Sequence, residues 1–344
     1  MRKGRRARRT VGYVLALFFI LTAIQGFAEE MLIPVGQTVG VTMNMKGVTV
    51  VDIADVKGSD GNCLQPGKDA GIRAGDVIES IDGKQVDSAK RFEEIVAEGK
   101  GKELKIIARR GHERKSFLVK PALSSTDGKY RLGVWVKDAA SGIGTVTYYN
   151  PETDEFGALG HGISDHQTGT AIGISGGEIL DARIVSIQKG CKGQPGELVG
   201  VFGENDRKLG IVEENTEVGL KGRMISGVKF SSLMNAIPIA RRKDVQIGKA
   251  QILSNIEEGK IEAFEIEIQK INCDTQNSKG MVVKVTDQKL LEKTGGIVQG
   301  MSGSPIIQEG KLVGAVTHVF VNDPTRGYGI FIENMLAEEE EISD

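Results

Sequence analysis

Along most of this chain apolar residues recur in short runs or at every second position, with turn residues between them, and that period is the mark of half-buried strands. The first such segment is residues 48–51. A Gly/Asn/Pro-rich loop follows, and alternation returns over 77–81, where Asp82-Gly83 signals a hairpin turn. The period then changes. Phe92, Ile95 and Val96 share one face of a helix that Ser88 caps and that runs to about Glu98. Residues 104–108 and 115–119 read as two further strands. Residues 29–45, with Pro34 and Gly36, read as an extended lead-in, and 124–129 as a polar linker. From Tyr130 to about Leu336 short strands recur between turn signals, at 144–149, 171–174, 179–188, 196–202, 223–228, 246–254, 261–271, 280–285, 306–309 and 312–319. That spacing favours an antiparallel barrel or sandwich.

Composition sharpens this picture. The 344 residues leave room for about two domains, and 46 glycines against 5% aromatics fit many short strands joined by tight turns. Six basic side chains (Arg2, Lys3, Arg5, Arg6, Arg8, Arg9) precede an apolar run at 11–24. Residues 1–28 therefore read as a secretory signal or a membrane anchor, and Gly26-Phe27-Ala28 supplies small residues for cleavage. Without that segment the basic count falls from 44 to 38 against 46 acids. The exported part is acidic by about eight charges, which argues against a nucleic-acid partner. The stretch 337–344 is an acidic tail. Cys63, Cys191 and Cys273 are an odd number without a Cys-x-x-Cys pair, so a disulfide framework is not indicated, although export would allow two of them to pair. There is no P-loop.

Two stretches carry candidate chemistry. In Gly300-Met301-Ser302-Gly303-Ser304-Pro305 a serine sits between glycines in a tight loop that leads into a hairpin. Glycines let the backbone close around a reacting carbonyl and leave amide N–H groups free for an oxyanion. The same composition also suits an ordinary hairpin loop. The second stretch is Gly160-His161-Gly162-Ile163-Ser164-Asp165, where a histidine between glycines can be presented to a neighbour. His161 precedes Ser302 in the order used by trypsin-like proteases. His112 falls in the hairpin of the first unit, His166 in a polar loop and His318 on the strand after the serine loop. His161 and His166 lack a helix or third ligand for a metal pair. Asp165, Asp181 and Asp287 are the carboxylates that could orient the histidine.

Ala70-Gly71-Ile72-Arg73-Ala74-Gly75-Asp76-Val77-Ile78, the Asp82-Gly83 hairpin and the following helix resemble a PDZ domain over about 46–122. The resemblance implies a groove between the strand at 48–51 and the helix from Ser88 to Glu98, where an extended peptide adds as another strand, with Lys46, Gly47, Val48, Thr49 and Val50 forming the loop that receives a terminal carboxylate or a backbone carbonyl. A spacer role is the alternative. Gly300 to Val319 resembles the nucleophile loop and hairpin of trypsin-like serine proteases, with Ser302 as nucleophile and Gly300 and Ser302 as oxyanion donors. Met301 stands where those enzymes usually carry Asp, which argues against activation by N-terminal trimming. An α/β-hydrolase elbow fails on Ser304 and on the strand that follows.

Together these features resemble the stage IV sporulation protein B peptidase family. Membership implies a mostly β chain: a PDZ domain followed by a chymotrypsin-like double β-barrel peptidase domain over 130–336. It implies a triad of His161, Asp287 and Ser302, the aspartate lying on the segment that leads into the nucleophile loop, and no metal or organic cofactor. It also implies export from the forespore to the space between the two spore membranes, with the N-terminal segment attaching the chain to a membrane if retained. Limited proteolysis, including self-cleavage, and a regulatory membrane protein as substrate complete the expectation, with pro-sigma-K processing as the outcome. The competing class is a non-catalytic PDZ adaptor with a degenerate protease domain that acts by binding a membrane partner.

Overall fold

The computed structural model describes residues 30–58, 61–111, 113–164, 172–203, 205–228, 230–257, 259–273 and 278–337. The N-terminal basic and apolar segment, His112, Asp165, His166 and the tail from 338 lie outside the described residues. No helix among the described residues is long and apolar enough to cross a membrane.

Two long strands organise the molecule. Strand β1 (Met31–Pro34) leads to β2 (Thr38–Ile53), whose alternating Val39, Val41, Met43 and Val48, Val50 are fully buried. The PDZ unit follows with β3 (Val77–Ile81), helix α1 (Ala89–Glu98), β4 (Leu104–Arg110) and β5 (Glu113–Val119). Ser88 caps α1 as its spacing predicts, its Oγ accepting from the Arg91 amide at 3.2 Å. Phe92, Ile95 and Val96 bury the expected face against Val48, Val50, Ile78 and Ile106. Asp76 of the Ala-Gly-Asp motif is fully buried and takes both arms of Arg110, at 2.6 and 2.7 Å, plus the Arg73 amide. A buried carboxylate is tolerable only when paired and bonded in this way.

The chain then returns along β6 (Val134–Tyr149), 16 residues antiparallel to β2 over almost its whole length, from Val134 opposite Ile53 to Thr145 opposite Thr38. Strands β7 (Glu155–Ala158), β8 (Ile174–Asp181), β9 (Lys208–Thr216) and β10 (Gly219–Met224) complete a ring: β2 pairs with β6, β6 with β7, β7 with β10, β10 with β9, β9 with β8 and β8 again with β2. This first barrel encloses Val39, Val41, Val146, Phe156, Ile179 and Val212.

The second barrel is closed by β11 (Gly248–Glu257), β12 (Lys260–Ile271), β13 (Met281–Val285), β14 (Pro305–Gln308), β15 (Lys311–Phe320) and β16 (Asp323–Phe331). Helix α2 (Gln288–Thr294) and the nucleophile loop lie between β13 and β14, and α3 (Ile332–Leu336) ends the described chain.

One expected boundary is corrected. Residues 31–45 are not a linker: they supply β1 and the first half of β2, the strand on which the first barrel closes. Pro34 and Gly36 make the stretch look irregular, but only the gap at Val35–Gln37 separates two buried strands. The PDZ unit is therefore inserted between two paired strands of the first barrel and does not stand ahead of the peptidase domain. The helices α2 and α3 and the strands β7, β9 and β16 also lay outside the sequence reading.

Candidate active site

The nucleophile loop is shaped by backbone accounting. Met301 N–H donates to the Val298 carbonyl, Gly303 N–H to Val316 and Ser304 N–H to Met301. The N–H groups of Gly300 and Ser302 have no backbone acceptor among the described residues. The loop's carbonyls are taken by β6: Thr145 Oγ1 donates to Gly300 O at 2.7 Å, Thr145 N to Ser302 O at 3.0 Å and Thr147 Oγ1 to Gly303 O at 2.8 Å. Glycine is required at 303, where φ is +98° and a Cβ would lie 2.0 Å from Thr145 O. Met301 is fully buried in the core of the second barrel. Its side chain fills a place where the resemblance to trypsin-like enzymes would put a carboxylate.

Of the two serines, Ser304 is fully buried with its Oγ unpartnered among the described residues, whereas Ser302 is half-buried. Ser302 Oγ donates to the Thr317 carbonyl of β15 at 2.6 Å. His161 arrives from the turn after β7. Leu159 and Gly160 both take positive φ there, +67° and +69°, and Leu159 N–H bonds Thr145 O. A Cβ at Gly160 would meet Thr317 Cγ2 at 3.0 Å, so this turn lies directly against β15. Asn215 of β9 holds the segment after His161, accepting from Ile163 N and donating to Ile163 O and Ile172 O.

His161 Nδ1 lies 2.9 Å from the Gly162 carbonyl. A carbonyl only accepts, so Nδ1 carries the hydrogen and Nε2 is left with the lone pair a general base needs. Burial pushes the His161 pKa below the ordinary histidine value, and the Gly162 carbonyl offsets part of that. The ring packs on a second imidazole, His318 of β15, with centroids 4.7 Å apart and planes 37° from parallel. His318 is pushed down to about 4, first by burial, then by the charge of His161 and of Lys279.

The structure does not bring Asp287 to this histidine. Asp287 caps α2, its Oδ1 accepting from Leu290 N at 2.9 Å and its Oδ2 from Glu265 N at 3.4 Å. An Asp directly ahead of a helix meets its unpaired first-turn amides, and here that local use holds the side chain. Asp181 closes β8 and accepts from Gln37 Nε2 at 3.3 Å, and Asp165 lies outside the described residues. No carboxylate among the described residues bonds His161. The site residues that sequence reading missed are His318, Thr145, Thr147 and Asn215. His318 stands in the strand after the serine loop, but β-register alone does not say which loop its face meets.

The expected peptide seat in the PDZ unit is filled by the chain itself. Thr49 and Val50 pair with Lys137 and Val136 of β6 on one side, while Val48 and Thr49 pair with Ile78 and Val77 on the other. Lys46 N–H bonds Gly173 O, and Gly47, at φ +108°, approaches Ile78 O. Asp138 Oδ2 accepts from Ala89 N at the start of α1, and Val134 and Val136 pack into the PDZ core. The strand-addition edge is used in cis because β2 and β6 stay paired on leaving the barrel. A cavity of about 550 Å³ remains beside α1, between Phe92, Val96, Tyr130 and Trp135.

No curated protein matches the chain. Among solved structures, the PDZ domain of an SdrC-like protein from Listeria monocytogenes is 24% identical over 26% of this chain and 87% of that one, with a TM-score of 0.22. The Rv3671c protease in its inactive form is 13% identical over 57% of this chain and 81% of that one, with a TM-score of 0.31. The active form of that protease, from M. tuberculosis, is 13% identical over 58% and 71%, with a TM-score of 0.30. A PDZ-domain model matches residues 65–110. A model described as SpoIVB peptidase S55 matches residues 128–336, more than half of the chain, and contains the histidine turn and the glycine-framed serine loop just described. The chain belongs to the SpoIVB peptidase S55 family and is a serine peptidase that carries a PDZ domain.

Proposed function

We propose that this peptidase performs limited proteolysis of a protein substrate with Ser302 as nucleophile and His161 as general base. The observation that carries this reading is the loop itself: among the described residues it leaves two N–H groups without a backbone acceptor, at Gly300 and Ser302, on either side of Met301 and beside a half-buried serine hydroxyl. In the first step Ser302 Oγ–H turns from the Thr317 carbonyl to His161 Nε2. The proton passes to Nε2 as Oγ bonds the substrate carbonyl carbon, and the oxyanion is held by the two N–H groups. His161 then returns the proton to the leaving amine as the C–N bond breaks. Water, activated by the same Nε2, releases the acyl group and restores Ser302. The lowered His161 pKa keeps the ring neutral, and so able to take the proton, through the neutral range.

Family membership supports a place in sporulation signalling: export from the forespore, self-cleavage, and cutting of a regulatory membrane protein that restrains an intramembrane metalloprotease, so that pro-sigma-K is processed. A serine-directed fluorophosphonate tests the chemistry. Labelling is expected on Ser302, to be lost in Ser302→Ala and kept in Ser304→Ala; a label on Ser304 would refute the assignment. Incubation with the membrane substrate tests the biology, which fails if a labelling-competent enzyme leaves that protein intact.

A further inference from the structure

We propose that His318 is a positioning residue of this active site: its ring, stacked on His161, fixes the plane of the base and stabilises the imidazolium that forms when Ser302 gives up its proton. The proposal rests on the reading of His161 as base and deepens it.

Three observations converge on His318. It directly follows Thr317, whose carbonyl holds Ser302 Oγ, so one strand presents both the resting partner of the nucleophile and the ring beside the base. The 4.7 Å separation and 37° tilt of the two rings lie within the range of favourable aromatic pairs. Finally, His318 Nδ1 is buried without a hydrogen-bond partner among the described residues. A buried ring nitrogen left unpaired is a cost that a packing residue such as Val or Phe would avoid.

The physical need is clear from His161. Its Nδ1–H is held by the carbonyl of the next residue, a contact within one short segment, and no described carboxylate restrains the ring or balances its charge. A neutral aromatic face is one way to steady a cation in a half-buried site. His318 meets the condition of staying neutral. Its pKa lies at about 4, and the charged groups that act on it are His161 from the turn after β7 and Lys279 from the segment ahead of β13. Lys279 is a cation and His161 becomes one when it takes the serine proton, so neither favours a proton on His318 while His161 carries one.

The test is kinetic, on the full-length enzyme, with one peptide substrate followed from pH 4 to 9. His161→Ala probes the base reading by itself: if it keeps activity, that reading fails whatever His318 does. With it intact, His318→Leu, which keeps volume but loses the ring, should lower kcat by about tenfold or more with KM little changed, part of the 10²–10⁴ that general-base catalysis supplies. Its acid limb should also shift to lower pH, because a ring that stabilises the imidazolium raises the His161 pKa and an apolar Leu withdraws that support. His318→Phe restores an aromatic face and should recover kcat to within about threefold of the parent, the limb returning with it. Should His318→Leu fail to fold, as judged by its melting transition, His318→Gln, which loses the ring but keeps a polar side chain, carries the test with the same expected losses. The proposal is overturned if His318→Leu leaves kcat and acid limb unchanged, if it lowers kcat without moving the limb, or if His318→Phe is as impaired as His161→Ala, which would make His318 itself the base.

Discussion

Asp287 shows how one residue type serves two different needs. As a triad member it would hold the second imidazole N–H and stabilise the positive ring. Here its two oxygens meet the amides of Leu290 and Glu265, and the second imidazole N–H is held by the Gly162 carbonyl. The two roles separate experimentally. Asp287→Asn keeps a capping acceptor and should leave kcat near the parent value, whereas Asp287→Ala removes the cap and should cost about 0.5–2 kcal/mol of stability, read from chemical denaturation. A fall in kcat of about four orders of magnitude in the folded Asn variant would instead place Asp287 in the triad.

At the scale of elements the decisive one is β6. Over 16 residues, about 50 Å at strand rise, it begins in the PDZ groove and ends on the nucleophile loop. Val134 and Val136 give that strand its anchor in the PDZ core, and Thr145 and Thr147 spend their buried hydroxyls on the carbonyls of Gly300 and Gly303. Thr147→Val preserves shape but leaves the Gly303 carbonyl without this donor. It should destabilise the enzyme by about 1–3 kcal/mol and slow fluorophosphonate labelling of Ser302, since the loop that aims the two N–H groups is no longer held. Thr42 of β2 makes no such side-chain bond among the described residues, so Thr42→Val serves as the control. Equal labelling rates for the two variants would show that β6 does not shape the loop.

For the whole molecule the insertion of the PDZ unit has a consequence for dissection. Asn44 and Ala139 are register partners where β2 and β6 leave the barrel. Replacing 46–137 by a two- to four-residue turn is therefore geometrically allowed, as in a hairpin, and the shortened enzyme should still melt cooperatively and label at Ser302. Deleting 31–45, by contrast, removes the strand on which the first barrel closes. That truncation should abolish labelling and the melting transition even though it spares every residue from 128 to 336. Survival of the second protein and collapse of the first would refute the arrangement of strands.

Sequence by itself determined the parts governed by local rules. Alternation located most strands, Ser88 capped α1 as its spacing requires, and glycines around Ser302 marked a loop with spare N–H groups. It also marked Ser302 and His161 as candidates ahead of their neighbours by context alone. What only the tertiary structure decided are the long-range pairings. Pro34 and Gly36 obscured that 31–45 belongs to the barrel, because a strand's partners, here Ala139 to Thr145 and Ile174 to Asp181, lie more than 90 residues away. The PDZ groove read as open because nothing in Val134 to Lys137 announces that it stays beside β2. Asp287 read as catalytic from its place ahead of the serine, but a helix begins at the next residue and claims its carboxylate. His318 was legible as a strand residue and nothing more, since the contact that gives it a role joins two strand ends from separate barrels, and only their packing sets one imidazole on the other.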